Sequence, residues 1–202
     1  MNSVSESKIT NNKENKNQMN RLSIASALAL VASAAPRLGG CPKDYHPMAT
    51  FDVNRYTGLW YEIVRDKYTI FEWLQGCDLA EYTANDDGTI TVHNMGHRFI
   101  QGWTDVKAAA LPADTGDASL VVSFSGEPDA SGKPNYTVLD TDYETYSIVY
   151  ACGDFHNLAS FDFLWVLARE PELPEATMLQ IAEKIEAVLP NYGFFENHKM
   201  TH

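Results

Sequence analysis

The side chains best able to do chemistry are few and far apart along the chain. His93 and His97 lie four residues apart, a spacing that brings two metal ligands together on a helix. Their surroundings have the pattern of strand and turn, so we interpret them as surface histidines and predict no metal site and no cofactor. We find no nucleophile–base–acid arrangement, phosphate-binding loop or catalytic pair of carboxylates. The sequence therefore predicts a protein that is not an enzyme.

The three cysteines are the remaining reactive groups. Cys41, Cys77 and Cys152 permit one disulfide and leave one thiol over. A reactive thiol needs its thiolate stabilised, but Asp78 follows Cys77 directly and no cationic residue lies beside it in sequence. We therefore favour a binding function over catalysis by a Cys77 thiol. A dimer linked through Cys77 remains an alternative.

The charge of the chain argues against anionic partners. The net charge is −12. Residues 1–40 hold five basic and two acidic side chains, a net +3, which leaves −15 for residues 41–202. A body this acidic repels phosphate backbones, so we predict no nucleic-acid partner.

The first 40 residues have the pattern of an export segment. Residues 1–18 are almost wholly polar, which is typical of a disordered leader. A positive start after Met19 and an apolar run over residues 22–35 that ends in small residues are typical of a signal peptide. We predict a leader and signal peptide over 1–40, a single domain over 41–202, and a secreted, extracellular protein. Because residues 38–41 read Leu-Gly-Gly-Cys, a lipid anchor on Cys41 is the alternative for a bacterial source.

From residue 51 onward, short alternating runs separated by turn residues predict an antiparallel sandwich or barrel. A helix is predicted over residues 174–189, with an apolar face of Leu179, Ala182, Ile185 and Leu189, and residues 192–202 are long enough for a last short strand. Residues 68–74 are unusually apolar for a loop, so we expect them to cover a barrel mouth or to touch a membrane surface. Strands are predicted over 59–65, 78–83, 89–94, 102–111, 119–124, 136–140, 146–152 and 161–168.

Three segments together resemble the lipocalin family, and within it the branch of apolipoprotein D and the bacterial outer-membrane lipocalins. Residues 54–63 read Asn-Arg-Tyr-Thr-Gly-Leu-Trp-Tyr-Glu-Ile, residues 141–143 read Thr-Asp-Tyr, and residues 165–169 read Trp-Val-Leu-Ala-Arg. They occur in the family's order and spacing. The resemblance covers about residues 41–200 and implies an all-β fold, an eight-stranded antiparallel up-and-down β-barrel with one C-terminal α-helix packed outside.

The same resemblance implies roles for particular residues. Trp60 would plug the closed end of the barrel with Arg169 across its ring, Gly58 would allow the bend into the strand, and Cys41 would pair with Cys152. The family partner of Cys77 near the C-terminus is missing here. The second family motif supplies Thr141, Asp142 and Tyr143, and the one glycosylation sequon places a glycan on Asn135.

A barrel of eight strands holds one small ligand. The resemblance therefore implies extracellular binding and transport of a small hydrophobic molecule such as a fatty acid, lysophospholipid or sterol. Alternation along the first strand places Glu62 and Val64 inward, and Tyr82 is the best polar contact for the ligand. The residues predicted to line the cavity are Glu62, Tyr82, Asn94, Leu120, Val122, Phe124, Phe163 and Trp165.

Two other functions remain open for such a barrel. A pigment carrier for a bilin or carotenoid would be coloured when purified. A lipid isomerase with a pocket thiol would use Cys77.

Overall fold

The described part of the chain folds into one continuous antiparallel sheet and two helices. The computed structural model describes residues 35–66, 75–98, 101–124, 132–190, 192 and 198–201, and for residues 35–37, 75–77 and 198–200 it describes only the backbone. The helices are α1, Val53–Tyr56, and α2, Glu175–Val188. The strands β1 to β10 are Ala35–Leu38, Gly58–Asp66, Gln75–Ala84, Ile90–Arg98, Gly102–Pro112, Ser119–Ser123, Tyr136–Thr141, Tyr146–Phe155, Ala159–Ala168 and His198–Met200.

Eight of these strands close into a barrel. Strands β2 to β9 pair with their sequence neighbours, and β9 also pairs with β2, so the sheet has no free edge between them. The two remaining strands continue the pairing at the seam, with β1 beside β9 and β10 beside β2. The predicted eight-stranded barrel and C-terminal helix are confirmed.

Apolar side chains form two cores, one on each face of the sheet. The interior core contains Trp60 at the bottom of the barrel, and the outer core lies between the sheet and α2, where Ile181 and Ile185 are buried. The predicted helical face is wrong at its first position, because Leu179 is 53% exposed and Ile181 packs on the sheet instead. Within the described residues, neither helix is long and apolar enough to cross a bilayer.

A β-bulge in β2 changes which residues face inward. The register with β9 shifts between Glu62 and Val64, which adds one residue to β2 and reverses the alternation beyond it. The inward placement predicted for Val64 is therefore wrong, because Val64 is fully buried in the outer core. Arg65 takes the place opposite Trp165.

The N-terminal segment is tied to the barrel by two features. Cys41 and Cys152 form the implied disulfide, with their Cα atoms 5.9 Å apart. Strand β1 pairs with residues 159–162 of β9. Strand β1 falls inside the region predicted as leader and signal, and the predicted division at residues 40 and 41 stays a prediction.

Candidate ligand-binding site

The closed end of the barrel is built around one indole. Trp60 is fully buried, and its Nε1 donates a hydrogen bond to the carbonyl oxygen of Tyr56 at 2.8 Å. The guanidinium carbon of Arg169 lies 3.7 Å from the centroid of the Trp60 ring. A cation over an indole is attracted by the negative face of the ring.

Arg169 also donates hydrogen bonds to backbone carbonyls at the start of β2 and in the turn between β7 and β8. It donates hydrogen bonds to the carbonyl oxygens of Leu59 at 2.8 Å, Thr57 at 2.9 Å and Tyr143 at 3.0 Å. Burial lowers the pKa of Arg169, but a guanidinium starts so high that it stays a cation. Gly58 has a φ of +95°, and a Cβ there would lie 3.4 Å from a guanidinium nitrogen of Arg169. These contacts close this end of the barrel, which we call the floor. Its role is therefore structural.

The turn between β7 and β8 forms the second part of the floor. Oδ1 of Asp142 accepts hydrogen bonds from the backbone N–H groups of Glu144, Thr145 and Tyr146 at 3.0, 2.7 and 3.1 Å. Although partial burial opposes it, these backbone donors lower the pKa of Asp142. The carboxylate thereby holds the tight turn between the two strands.

Helix α1 in front of β2 was not predicted from the sequence. Oδ1 of Asp52 accepts hydrogen bonds from the N–H groups of Asn54 and Arg55 at 3.0 and 3.2 Å, an N-cap that the sequence does carry. The backbone N–H of Asp52 in turn donates to the hydroxyl of Tyr143 at 3.0 Å. This short helix brings Tyr56 under the barrel interior.

Above the floor lies a cavity of about 260 Å³ inside the barrel. Of the eight residues predicted to line it, six do: Glu62, Tyr82, Asn94, Val122, Phe124 and Trp165. Their contact with a ligand stays a prediction. The structure adds ten lining residues: Asp78, Leu79, Ala80, Val92, Met95, Asn135, Tyr136, Val149, Ala151 and Leu167.

The other two predicted residues do not line this cavity. Leu120 is fully buried in the interior core. The ring of Phe163 stacks on Trp165, with the centroids 5.7 Å apart and the planes 17° apart. Phe124 is 63% exposed, because it follows β6 where the barrel opens.

A chain of hydroxyl groups crosses the cavity floor. The hydroxyls of Tyr82 and Tyr136 lie 2.9 Å apart, those of Tyr136 and Tyr56 3.1 Å apart, and Tyr56 reaches Oγ of Ser147 at 3.0 Å. Burial raises the pKa of Tyr56 to about 12 and also raises the pKa values of Tyr82 and Tyr136. All three phenols are therefore neutral at physiological pH and can donate one hydrogen bond each.

Three charged groups meet at one wall of the cavity. Nη1 of Arg65 lies 3.1 Å from Oε1 of Glu62 and 2.5 Å from Oδ2 of Asp78. Arg65 is 1% exposed, Glu62 7% and Asp78 6%. Glu62 and Asp78 line the cavity, and Arg65 lies behind them. The sequence pattern does not predict Arg65 as an inward residue, because the bulge in β2 that turns it inward has no sequence signature here.

Asn135, the predicted glycosylation site, holds the start of β7 against β6. Its side-chain amide accepts a hydrogen bond from the backbone N–H of Val122 and donates one to the carbonyl oxygen of Val122, both at 2.8 Å. The residue is exposed and also lines the cavity. Glycosylation of Asn135 stays a prediction.

The two histidines lie away from the cavity. Nε2 of His93 lies 3.0 Å from Oδ2 of Asp105, and the ring of His97 meets Trp103 edge to face at 5.4 Å. Across the described ranges, no three His, Cys, Asp or Glu side chains gather where they could hold a metal. The side chain of Cys77 and the loop 68–74 lie outside the described residues.

Known proteins resemble this chain over the whole barrel. Residues 51–193 match a family model described as a lipocalin-like domain. Apolipoprotein D of Macaca fascicularis is 37% identical over 163 residues, which are 78% of this chain and 82% of that protein. The outer membrane lipoprotein Blc of Vibrio cholerae is 30% identical over 151 residues, 72% of this chain and 82% of that protein. The solved structure of insecticyanin from Manduca sexta has a TM-score of 0.69 at 21% identity, and covers 84% of this chain and 89% of its own.

Proposed function

We propose a carrier function for this chain, which belongs to the lipocalin family. The chain binds one small hydrophobic molecule in the barrel, in an extracellular setting, and performs no chemistry on it. The molecule is a single-chain lipid, a sterol or a compound of similar size. The observation that carries the proposal is the cavity of about 260 Å³, which lies above a sealed floor and below an open end.

The composition of the wall supports a hydrophobic ligand. Most of the lining side chains are apolar, among them Val92, Val122, Val149 and Trp165. Apolar walls with a few polar groups are typical of sites for small organic ligands, because the apolar surface supplies affinity and the polar groups set orientation. The neutral tyrosine hydroxyls at the bottom supply such polar contacts without adding a charge.

Native mass spectrometry of the protein purified from its own source tests the proposal directly. We expect a bound small molecule that organic extraction releases and that rebinds to the delipidated protein. Protein that carries nothing, and that binds no lipid or sterol after extraction, would contradict a carrier function.

Two matched variants test whether the cavity is the binding site. Ala151→Leu adds three carbon atoms to the cavity wall and should weaken rebinding strongly. Ala109→Leu makes the same change on β5 between the inward residues Ala108 and Ala110, where it points outward, and should leave binding unchanged. Equal effects of the two variants would place the ligand elsewhere.

The same experiment separates the alternative functions. A bilin or carotenoid would give the extracted ligand a visible absorption band. Alkylation of Cys77 that abolished a lipid isomerase activity would support the thiol enzyme, whereas unchanged ligand binding and no activity support a carrier. Intermolecular pairing of Cys77 would appear as a dimer on a non-reducing gel.

We propose that the protein is secreted, because the leader has the pattern of a signal peptide and disulfides persist in oxidising compartments. A sulfur that is bonded to Cys152 cannot also carry a lipid, which favours a free protein over one anchored through Cys41. Intact mass measurement of the exported protein distinguishes the two and also reports a glycan on Asn135. Flotation with liposomes tests membrane contact through residues 68–74.

A further inference from the structure

The side chain of Asn135 takes the place of a backbone residue in the pairing of β6 with β7. The last pair of these strands toward the open end of the barrel is Leu120 opposite Tyr136. One step closer to the opening, Oδ1 of Asn135 accepts a hydrogen bond from the backbone N–H of Val122, and Nδ2 donates one to the carbonyl oxygen of Val122, both at 2.8 Å. Two residues of a hydrogen-bonded antiparallel pair exchange the same two bonds. The amide of Asn135 therefore continues the sheet by one pair.

This pair lies in the wall of the cavity, next to its mouth. Val122 is half-buried, and both Val122 and Asn135 line the cavity, as does the exposed Phe124 that follows β6. If the amide were absent, the N–H and carbonyl groups of Val122 would lose their partner beside a mostly apolar cavity, which is costly. Asn135 therefore keeps the wall closed up to the point where the barrel opens.

The predicted glycan on Asn135 competes with this pair for the same nitrogen. Both bonds go to one residue, Val122, so the N–H that donates lies on the same edge of the amide as Oδ1. A glycan would convert the side chain into a secondary amide, which keeps its remaining N–H trans to the oxygen because the cis form is rare. The sugar carbon would then occupy the position of the N–H that bonds Val122. The glycan and the pair therefore exclude each other.

We propose that Asn135 is a positioning residue of the ligand cavity, that its amide closes the wall between β6 and β7, and that it carries no glycan in the folded protein. The proposal rests on the carrier function proposed above, because a closed wall matters to a protein that retains a ligand. Asn135 acts through Val122, whose backbone it fixes at the cavity mouth. Its loss loosens the wall and lets a bound molecule leave faster.

The release rate of an uncharged probe tests the role of the amide. Asn135→Asp keeps the shape of the side chain but turns a second oxygen, instead of an N–H, toward the carbonyl oxygen of Val122. Prodan, an uncharged fluorescent naphthalene, is bound to the full-length, delipidated protein at neutral pH, and its release is followed by stopped-flow fluorescence in excess decanol. We expect Asn135→Asp to release prodan roughly fivefold faster than the parent or more, because one hydrogen bond is lost and its acceptor stays unpaired.

Asn85→Asp is the matched control for this rate. It makes the same change in the exposed turn between β3 and β4, where the amide of Asn85 bonds the side chains of Thr89 and Thr91. This turn lies at the closed end of the barrel, so the release rate should equal that of the parent. A rate in Asn135→Asp that equals the parent rate, or that changes equally in both variants, would overturn the proposal.

Thr137→Val separates the amide from the sequon. It removes the hydroxyl that a sequon requires and leaves the amide of Asn135 in place. We expect this variant to release prodan at the parent rate. If Thr137→Val instead released prodan as fast as Asn135→Asp, the effect would come from a lost glycan, and the proposal would be wrong.

Intact mass measurement tests the absence of the glycan. The full-length chain is exported from eukaryotic cells that add N-linked glycans, and its mass is compared before and after enzymatic removal of glycans. We expect protein that binds prodan to carry no glycan on Asn135. Asp87→Asn is the positive control, because it creates a sequon with Thr89 in an exposed turn and should gain a glycan in the same cells. Full glycosylation of Asn135 in protein that binds prodan would overturn the proposal.

The outcomes also separate this proposal from the carrier function. If prodan binds and Ala151→Leu blocks it, but Asn135→Asp releases it at the parent rate, the role of Asn135 fails and the carrier function stands. If the purified protein carries no ligand and binds neither prodan nor decanol, the carrier function fails and this role fails with it. Thermal unfolding identifies a variant that has lost its fold. Asn135→Ser, which removes both bonds to Val122 without adding a charge, then provides the test.

Discussion

At the scale of single residues, the floor of the barrel depends on two side chains more than a hundred positions apart. Trp60 provides a large apolar surface, and Arg169 closes over it while bonding carbonyls on both sides. Neither residue lines the cavity. The pair therefore affects stability and leaves ligand choice to residues higher in the barrel.

Replacing Trp60 by alanine tests this division. Trp60→Ala should lower the free energy of unfolding by about 3–5 kcal/mol, because it leaves a large hole in the interior core. Trp103→Ala is the control, since Trp103 is 65% exposed and its loss should change stability little. Urea denaturation of both variants measures the difference, and similar values would contradict the role of Trp60 as the floor.

Residue identity could be predicted at the floor better than at the cavity wall. The Gly-x-Trp segment and the arginine after β9 are recognisable in the sequence because their motif has a fixed spacing. The wall residues Asp78, Tyr136 and Asn135 were missed because nothing in their local sequence distinguishes a cavity position from an ordinary inward position. Their significance depends on which strands the barrel brings together.

At the scale of elements, alternation predicts side-chain direction only until a strand changes register. Strand β2 follows the predicted alternation as far as Glu62, and the bulge then places Arg65 where Val64 was expected. Strands β3 and β7 also shift register, between Gly76 and Leu79 and between Val138 and Asp140. A bulge is set by how a strand pairs with its neighbours in the folded barrel, so the alternation within the strand's own sequence does not reveal it.

The turn between β7 and β8 gives a prediction for acid solution. The pKa of Asp142 is lowered in the folded protein, so its contribution to stability is present above the unfolded pKa of about 3.9 and is lost as the pH falls below it. Asp142→Asn should therefore be less stable than the parent at neutral pH and should lose less stability on acidification. Urea denaturation across this pH range measures both, and parallel curves for parent and variant would contradict the assignment.

At the same scale, the disulfide links the N-terminal segment to β8. Cys41 and Cys152 are 111 residues apart in sequence, and a cross-link over so long a loop limits the unfolded chain. The double variant Cys41→Ala, Cys152→Ala should lose about 2–4 kcal/mol of unfolding free energy. Adding a reductant should lower the stability of the parent and leave the double variant unchanged; a drop in the double variant would point to another bond.

At the scale of the whole molecule, the barrel keeps stability and binding in different places. The floor and the outer core under α2 are filled with packed side chains, whereas the middle of the barrel holds a cavity between them and the open end. The sequence predicted this division through the eight-strand pattern and its one helix. It could not predict the charge of the wall, because Glu62, Arg65 and Asp78 come together only when β2 lies beside β3 and the bulge in β2 turns Arg65 inward.

This division predicts that substitutions in the cavity lower ligand affinity more than stability, whereas substitutions in the floor lower stability more than ligand affinity. Tyr82→Phe removes a hydroxyl that bonds Tyr136 at 2.9 Å but keeps the ring, and Trp165→Leu shortens a half-buried cavity side chain. Both should weaken ligand binding about tenfold or more while lowering unfolding free energy by less than Trp60→Ala does. Calorimetric titration with the extracted ligand and urea denaturation on the same samples measure the two quantities. If both variants lost stability and affinity in the same proportion, Tyr82 and Trp165 would be core residues, and the ligand would have to contact a different part of the barrel.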